Sequence, residues 1–216
     1  MLTLLSFAAH AADLDRDTVQ DAYDHCLWSD DRVDLNQDGI ADCSQSMIPD
    51  GTFDVYSDIL HWSAINAGTF RNTDPLDLFG YGYSDSMLAE FSGAGSAEVG
   101  SRICVPIGPP YANDTVAVWL QATQDAVAGS SPAYTELRQY SSSNCTTGNS
   151  VTVSDNYTIY SNAISLSDTS TTLLTSTRSV LLIAKSQTAA QFLVDNVLLL
   201  RTPGSLGGGG IDPENP

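Results

Sequence analysis

The chain has 216 residues, of which 26 are acidic and eight basic, for a formal charge of −18, and 42% are apolar. That balance argues against nucleic acid, anionic membranes and polyanions in general as partners, because each requires a positive protein surface. Lysine occurs once, at Lys185, whereas Ser, Thr, Asn and Gly are abundant, as in extracellular β proteins.

Met1 to Ala9 is an apolar run, followed by Ala9-His10-Ala11, an A-x-A cleavage pattern ahead of an acidic segment. Residues 1–11 therefore read as a signal peptide, though without a basic start. The run is far short of the ~20 apolar residues that span a bilayer, and no later stretch is long and apolar enough. The chain is expected to be exported, secreted or on a cell surface, most simply from a bacterium, and not inserted in membrane.

Residues 12–46 are dominated by aspartate: ten lie between Asp13 and Cys43, and no glutamate. They fall into two copies of one spacing. The first places Asp13, Asp15, Asp17, Asp21 and Asp24 ahead of Cys26. The second places Asp34, Asn36, Asp38, Gly39, Ile40 and Asp42 ahead of Cys43. Short oxygen-bearing side chains at alternate positions converge inside a tight loop, where Ca²⁺, which takes about six to eight oxygens, offsets their repulsion. An EF-hand loop shares the one-three-five start and the glycine at six, but keeps its apolar residue at eight and an acid at twelve. Here Val19 and Ile40 stand at seven, and Gln45 stands at twelve of the second copy.

This pattern resembles the thrombospondin type 3 repeat over residues 13–43. The resemblance implies calcium-wrapped aspartate turns with almost no hydrophobic core, stapled by cysteines. It departs from the family at Thr18, where glycine is usual. Four cysteines allow three pairings, and export makes pairing the default. Cys26 with Cys43 is favoured because each ends an aspartate turn, leaving Cys104 with Cys145 to link two strands of the following domain. No C-x-x-C spacing suggests zinc.

At residues 44–47 the composition changes to alternating apolar segments, placing a domain boundary there, and residues 47–202 are long enough to bury a core without metal. Expected strands are Thr52 to Tyr56, Leu60 to Ile65, Met87 to Phe91, Ala97 to Ile107, Thr115 to Ala122, Ala133 to Tyr140, Tyr157 to Ser161, Ser179 to Ser186 and Gln191 to Arg201. Val116, Val118 and Leu120 share one face, and Ala117, Trp119 and Gln121 the other. Helical periodicity is confined to Tyr83 to Glu90. Nine strands with Gly- and Asn-rich joints predict an all-β fold, an antiparallel two-sheet sandwich of jelly-roll type.

Pro49-Asp50-Gly51-Thr52-Phe53-Asp54 with His61-Trp62, and Phe192-Leu193-Val194-Asp195-Asn196-Val197-Leu198-Leu199, are similar to the opening and closing strands of jelly-roll carbohydrate-binding modules of exported bacterial proteins. Arg102 to Val105 and Arg138 to Cys145 match a cysteine pair seen in such sandwiches. The resemblance implies that the first and last strands lie side by side, with Asp54 and Asp195 helping to hold a structural calcium. Sugar binding there would need exposed rings that stack on pyranose faces, with polar neighbours fixing the hydroxyls. The Gly-flanked loop Phe79-Gly-Tyr81-Gly-Tyr83 offers Tyr81 and Tyr83, with Arg71, Asp74 and Asp77 as hydrogen-bonding partners. Trp62 and Trp119 are expected in the core.

No nucleophile elbow, P-loop or H-E-x-x-H motif is present, and glutamate, the usual acid of glycoside hydrolysis, occurs only four times. Residues 203–216 form a Gly-rich tail expected to be flexible. The expected function is thus a non-catalytic exported calcium-binding protein whose sandwich recognises a polysaccharide or cell-surface glycan. A structural or adhesive surface protein that self-associates or binds other surface proteins is the alternative, and a glycan-active enzyme is third.

Overall fold

The computed structural model describes residues 20, 22–23, 32–48, 51–53, 58–67, 69–73, 86–90, 98–123, 130–148, 151–160, 164–187 and 191–204. They form two antiparallel sheets. A one-turn helix α1 (Asp42–Gln45) and a 3-10 turn (Asp58–His61) precede ten strands. These are β1 (Ser63–Ile65), β2 (Thr69–Thr73), β3 (Ser86–Glu90), β4 (Val99–Pro106), β5 (Thr115–Thr123), β6 (Ser130–Tyr140), β7 (Val151–Tyr160), β8 (Ser165–Thr172), β9 (Ser179–Ser186) and β10 (Gln191–Thr202). The first sheet has the order β1-β4-β9-β6-β7 and the second β2-β3-β10-β5-β8. This is the expected all-β jelly-roll sandwich. Among the described residues no helix is long and apolar enough to cross a membrane.

Period-two alternation builds the core. Val116, Val118 and Leu120 of β5 point inward, where they meet Leu137 of β6, Val180 and Leu182 of β9, and Phe192 and Val194 of β10. Trp62 is buried there and packs its ring against Phe53 with centroids 5.6 Å apart. Gln139, fully buried, ties the first sheet to the turn after β8: its amide donates to the Thr172 carbonyl at 2.7 Å and its oxygen accepts from Leu174 N at 2.9 Å. Burying an amide without such partners would cost several kcal/mol at the upper end, about 1–3 by mutational measures.

A bulge in β10 decides what lies outside the core. Asp195 pairs with Gln121 and Leu198 with Trp119, so one extra residue is inserted between them, and Asn196 takes a positive φ of 48°. An insertion of one residue reverses the inward and outward faces of all that follows. Phe192 and Val194 therefore point inward, then Val197 and Leu199 do so, while Leu198 is turned outward. Outside the sandwich Leu198 is covered by Val33 and Leu35, with Trp119 and Leu200 packed alongside. The residues flanking Asp34 are thus docked on the second sheet. Trp119, expected in the core, lies on this outer face.

Other elements depart from the sequence reading for local reasons. Thr52 to Tyr56 was expected as a strand, but Gly51 and Thr52 form a turn and Phe53 has a φ of 59°; residues 54–57 lie outside the described residues. The opening segment still runs beside the last strand as the resemblance implied: Met47 N donates to Leu199 O at 2.7 Å and Val197 N to Gly51 O at 2.8 Å. A Cβ at position 51 would collide with the Val197 carbonyl oxygen, so this approach requires glycine. The expected strand at Leu60 to Ile65 begins as the 3-10 turn, and the helical periodicity assigned to Tyr83 to Glu90 gives way to strand at Ser86–Glu90. Strands β2 and β8 are additional. Both are edge strands, and Ser165–Thr172 contains only one apolar residue, so alternation gave no signal.

Two cross-links hold the periphery. Cys104 and Cys145 form a disulfide, as expected, although Cys145 sits in the loop after β6 and not on a strand. Cys43 is disulfide-bonded, and its expected partner Cys26 lies outside the described residues. At the end of β10, buried Asp114 accepts from Arg201 Nη2 at 2.6 Å and from Gly204 N at 2.9 Å, which clamps the chain where it leaves the sandwich.

Candidate functional site

Asp13, Asp15, Asp17, Asp21 and Asp24 lie outside the described residues, so the described aspartate loop is the second copy. There the backbone is wound onto its own side chains. Asp34 accepts from Asp38 N at 3.1 Å and Gly39 N at 2.8 Å, Asn36 from Asp38 N at 3.2 Å, and Asp38 from Ile40 N at 2.9 Å. Gly39 permits the turn with a φ of 84°. The Gln45 amide reaches both the Asp38 carboxylate, at 3.2 Å, and the Ile40 carbonyl, at 3.3 Å. Asp34, Asn36, Asp38, the Ile40 carbonyl and the Gln45 side chain are therefore gathered around one exposed turn. The oxygens of Asp34, Asn36, Asp38 and Ile40 form a donor set on a short loop, which fits a hard cation, while Gln45 turns its amide nitrogen towards them. The Ile40 amide, above all, holds the Asp38 carboxyl below the usual carboxylate range.

Asp42 is placed differently. Its carboxylate accepts from Leu35 N at 3.1 Å and the residue is buried, lining a shallow cleft with Val33, Ser46, Gly51 and Asn196. Burial pushes its carboxyl up to about 7, against the Leu35 hydrogen bond and with help from the charges of Asp34 and Asp38. Among the described residues no three Asp, Glu, His or Cys side chains converge. A cation on this loop would accordingly rely on Asn36 and backbone oxygen as much as on carboxylates. Asp195, fully buried at the β10 bulge, accepts from Asn196 N at 2.8 Å, and Asp54 lies outside the described residues.

Of the residues expected to contact sugar, Tyr81, Tyr83, Asp74 and Asp77 lie outside the described residues; Arg71 stands exposed on the edge strand β2. A different surface carries a connected set of rings and polar groups: the outer face of the first sheet. Strand pairing arranges it as a grid. One row across the sheet is Gly100, Lys185, Tyr134 and Asn156. The next is Arg102, Ile183, Glu136 and Ser154. A third is Cys104, Leu181, Arg138 and Thr152, and Tyr140 follows along β6. Tyr134 and Tyr140 are six residues apart on one strand, so their Cα atoms stand about 20 Å apart.

These groups are fixed by one another. Arg138 is bidentate on Glu136, with Nε to Oε1 at 2.6 Å and Nη2 to Oε2 at 2.9 Å. The Glu136 hydrogen bonds are the main reason that the guanidinium is held still more firmly protonated than usual. Lys185 Nζ lies 4.6 Å above the Tyr134 ring and 2.7 Å from Glu98, whose other oxygen accepts from the Tyr134 hydroxyl at 3.3 Å. The cation thereby fixes the plane of the ring beneath it. Tyr134, Arg138 and Tyr140 are half-buried, while Arg102, Ser154 and Asn156 are exposed. The pattern Tyr134-x-Glu136-x-Arg138-x-Tyr140 is a period-two array, and its alternation in β6 was the available signal. Nothing in the local sequence marks these rings as exposed, whereas glycines flank Tyr81 and Tyr83.

No protein-family model and no curated protein sequence matches the chain. Solved structures share its fold. The CBM22-1 xylan-binding domain of Paenibacillus barcinonensis Xyn10C superposes with a TM-score of 0.51 at 14% identity, over 74% of this chain and 94% of that one. The enzymatically active domain of bacteriophage CBA120 tailspike protein 4 gives 0.50 at 11% identity over 74% of this chain. An arabinose-bound MgGH51 α-L-arabinofuranosidase gives 0.52 at 10% identity over 73% of it. The chain spans only 22% of the tailspike domain and 26% of the arabinofuranosidase. At these identities the likeness is one of fold alone, an antiparallel two-sheet β-sandwich.

Proposed function

We propose that the chain is an exported, non-catalytic, calcium-binding module that holds an extended polysaccharide along strand β6. The observation that carries this reading is the row Tyr134, Glu136, Arg138 and Tyr140 on one open sheet face, with Asn156, Ser154 and Thr152 beside it. The half-buried rings at the ends, one face of Tyr134 being taken by Lys185, offer their remaining surface for stacking, and the exposed Asn156, Ser154 and Thr152 offer hydrogen bonds to hydroxyls, while buried Glu136 holds Arg138. The printed description of the Paenibacillus neighbour, a xylan-binding domain, makes β-linked xylan a first ligand to test.

Calcium would be held by Asp34, Asn36, Asp38 and the Ile40 carbonyl, and by the first aspartate copy; Asp42, expected as a further ligand from the resemblance to the thrombospondin type 3 repeat, is instead buried on Leu35 N. When bound, it supplies positive charge that offsets the crowded carboxylates. Since Val33 and Leu35 sit on Leu198 of the second sheet, the loop covers that part of its outer face and leaves the first sheet for ligand.

Affinity electrophoresis on a panel of neutral and acidic polysaccharides tests the reading. Tyr134→Ala and Tyr140→Ala should each weaken retention by roughly five- to thirty-fold if a stacked ring contributes about 1–2 kcal/mol beyond its neighbours. Unchanged mobility of the wild type in every gel would refute it. A second reading, self-association, is favoured by the edge position of β8 and by exposed Ile164 just before it and Leu166 on it. Sedimentation velocity that finds dimers abolished by Leu166→Lys would support that reading instead.

A further inference from the structure

We propose that the polysaccharide taken by the outer face of the first sheet is acidic, one that carries uronate carboxylates. The inference rests on the glycan-binding reading above and narrows it to a substrate class.

Its basis is where the charges fall. The chain has 26 acidic and eight basic residues, yet this one face holds Lys185, Arg102 and Arg138 against Glu98 and Glu136 among the described residues. Three cations face two carboxylates, a local excess of one positive charge on a protein of charge −18. Charges elsewhere on the surface are screened beyond about 8 Å at physiological salt, so the local balance governs a ligand lying on the sheet.

Two of the three cations are already matched. Lys185 is neutralised by Glu98 at 2.7 Å, and Arg138 by Glu136 at 2.6 Å. Glu136 takes two of the five guanidinium N–H groups of Arg138, and the Tyr140 side chain also engages that guanidinium, so Arg138 is largely committed to its own strand. Arg102 is exposed and makes no ion pair with another described residue. It stands in the row of Glu136, two strands away, with Ile183 between them, hence about 10 Å from that residue at the backbone. Ile183 and Leu181 stand between Arg102 and Arg138, and the one carboxylate of that row, Glu136, is already engaged by Arg138. A planar guanidinium matches a carboxylate in bidentate fashion and gains little from neutral hydroxyls by comparison. Uronate sugars present that group at the edge of the pyranose ring, while the ring face remains free to stack on Tyr134 or Tyr140.

Polygalacturonate and glucuronoxylan, each beside its carboxyl-reduced form, supply the test by affinity electrophoresis and titration calorimetry in 150 mM salt with calcium. Reduction removes the charge and keeps the backbone. An acidic form should bind at least about ten-fold tighter than its reduced partner, the worth of one charge-assisted hydrogen-bonded pair. Arg102→Gln should bring that ratio towards one, whereas Tyr134→Ala should weaken both forms alike. Equal binding of acidic and reduced forms, or a preference that survives Arg102→Gln, overturns the acidic specificity and leaves glycan binding intact. If no polysaccharide of either kind binds, the glycan reading itself falls, and this inference with it.

Discussion

Leu35→Ala tests whether the aspartate loop belongs to the sandwich. Leu35 is 8% exposed and, with Val33, covers Leu198 and the flank of Trp119 on the outer face of the second sheet. Removing a buried leucine side chain costs about 2–5 kcal/mol, the lower values where neighbours relax into the space. This cluster has only three buried members and lies near the surface, so about 2–3 kcal/mol is expected. For a domain of this size 1 kcal/mol shifts Tm by about 2–4 °C, which gives a fall of roughly 4–12 °C. Differential scanning calorimetry with calcium present, followed in parallel by tryptophan emission, measures it. A chelator should lower the same single transition in the wild type, because a cation bound only by the folded loop stabilises whatever is coupled to that loop. A Tm within 1–2 °C of wild type, or a chelator effect confined to a separate minor transition, would show the loop to be an independent appendage and refute the coupling.

Replacing both Cys104 and Cys145 by alanine should destabilise the fold by about 3–4 kcal/mol on loop-entropy grounds, since the two lie 41 residues apart; urea unfolding of the oxidised wild type and the double variant checks this. Asp114→Asn should lower Tm at neutral pH. The Gly204 amide first, and then Arg201, hold the Asp114 carboxyl below its usual 3.8, so its stabilisation is present above that value and is lost as pH falls through the lower folded value. The gap in Tm between wild type and Asp114→Asn should therefore narrow as pH is taken from 5 to 2; a gap that is constant with pH would mean the charge plays no part.

Much of the fold was legible because strands buried on one side write their faces into alternate residues. Val116, Val118 and Leu120 mark β5 in this way, and the runs at Ser179 and Gln191 mark β9 and β10. Edge strand β8 carries Ser, Thr and Asp on both faces and gave no such mark. The Cys104–Cys145 pair and the burial of Trp62 also followed from sequence. The face proposed to bind glycan was harder to see. Each of Arg102, Tyr134, Glu136, Arg138 and Lys185 stands on a strand whose alternation is readable, but the three strands join one face only through pairings between distant segments.

The sequence alone determined local chemistry: short acids at fixed spacing around Gly39, and side chains that alternate along each strand, since both depend only on neighbours in the chain. Tertiary structure decided what meets what. A single inserted residue at Asp195–Asn196 turns Leu198 outward to receive Val33 and Leu35, and pairing of β4, β9 and β6 brings three of the chain's few cations beside two tyrosines. Such meetings are set by register between strands far apart in sequence, and one residue of slip would send each of those side chains to the opposite face.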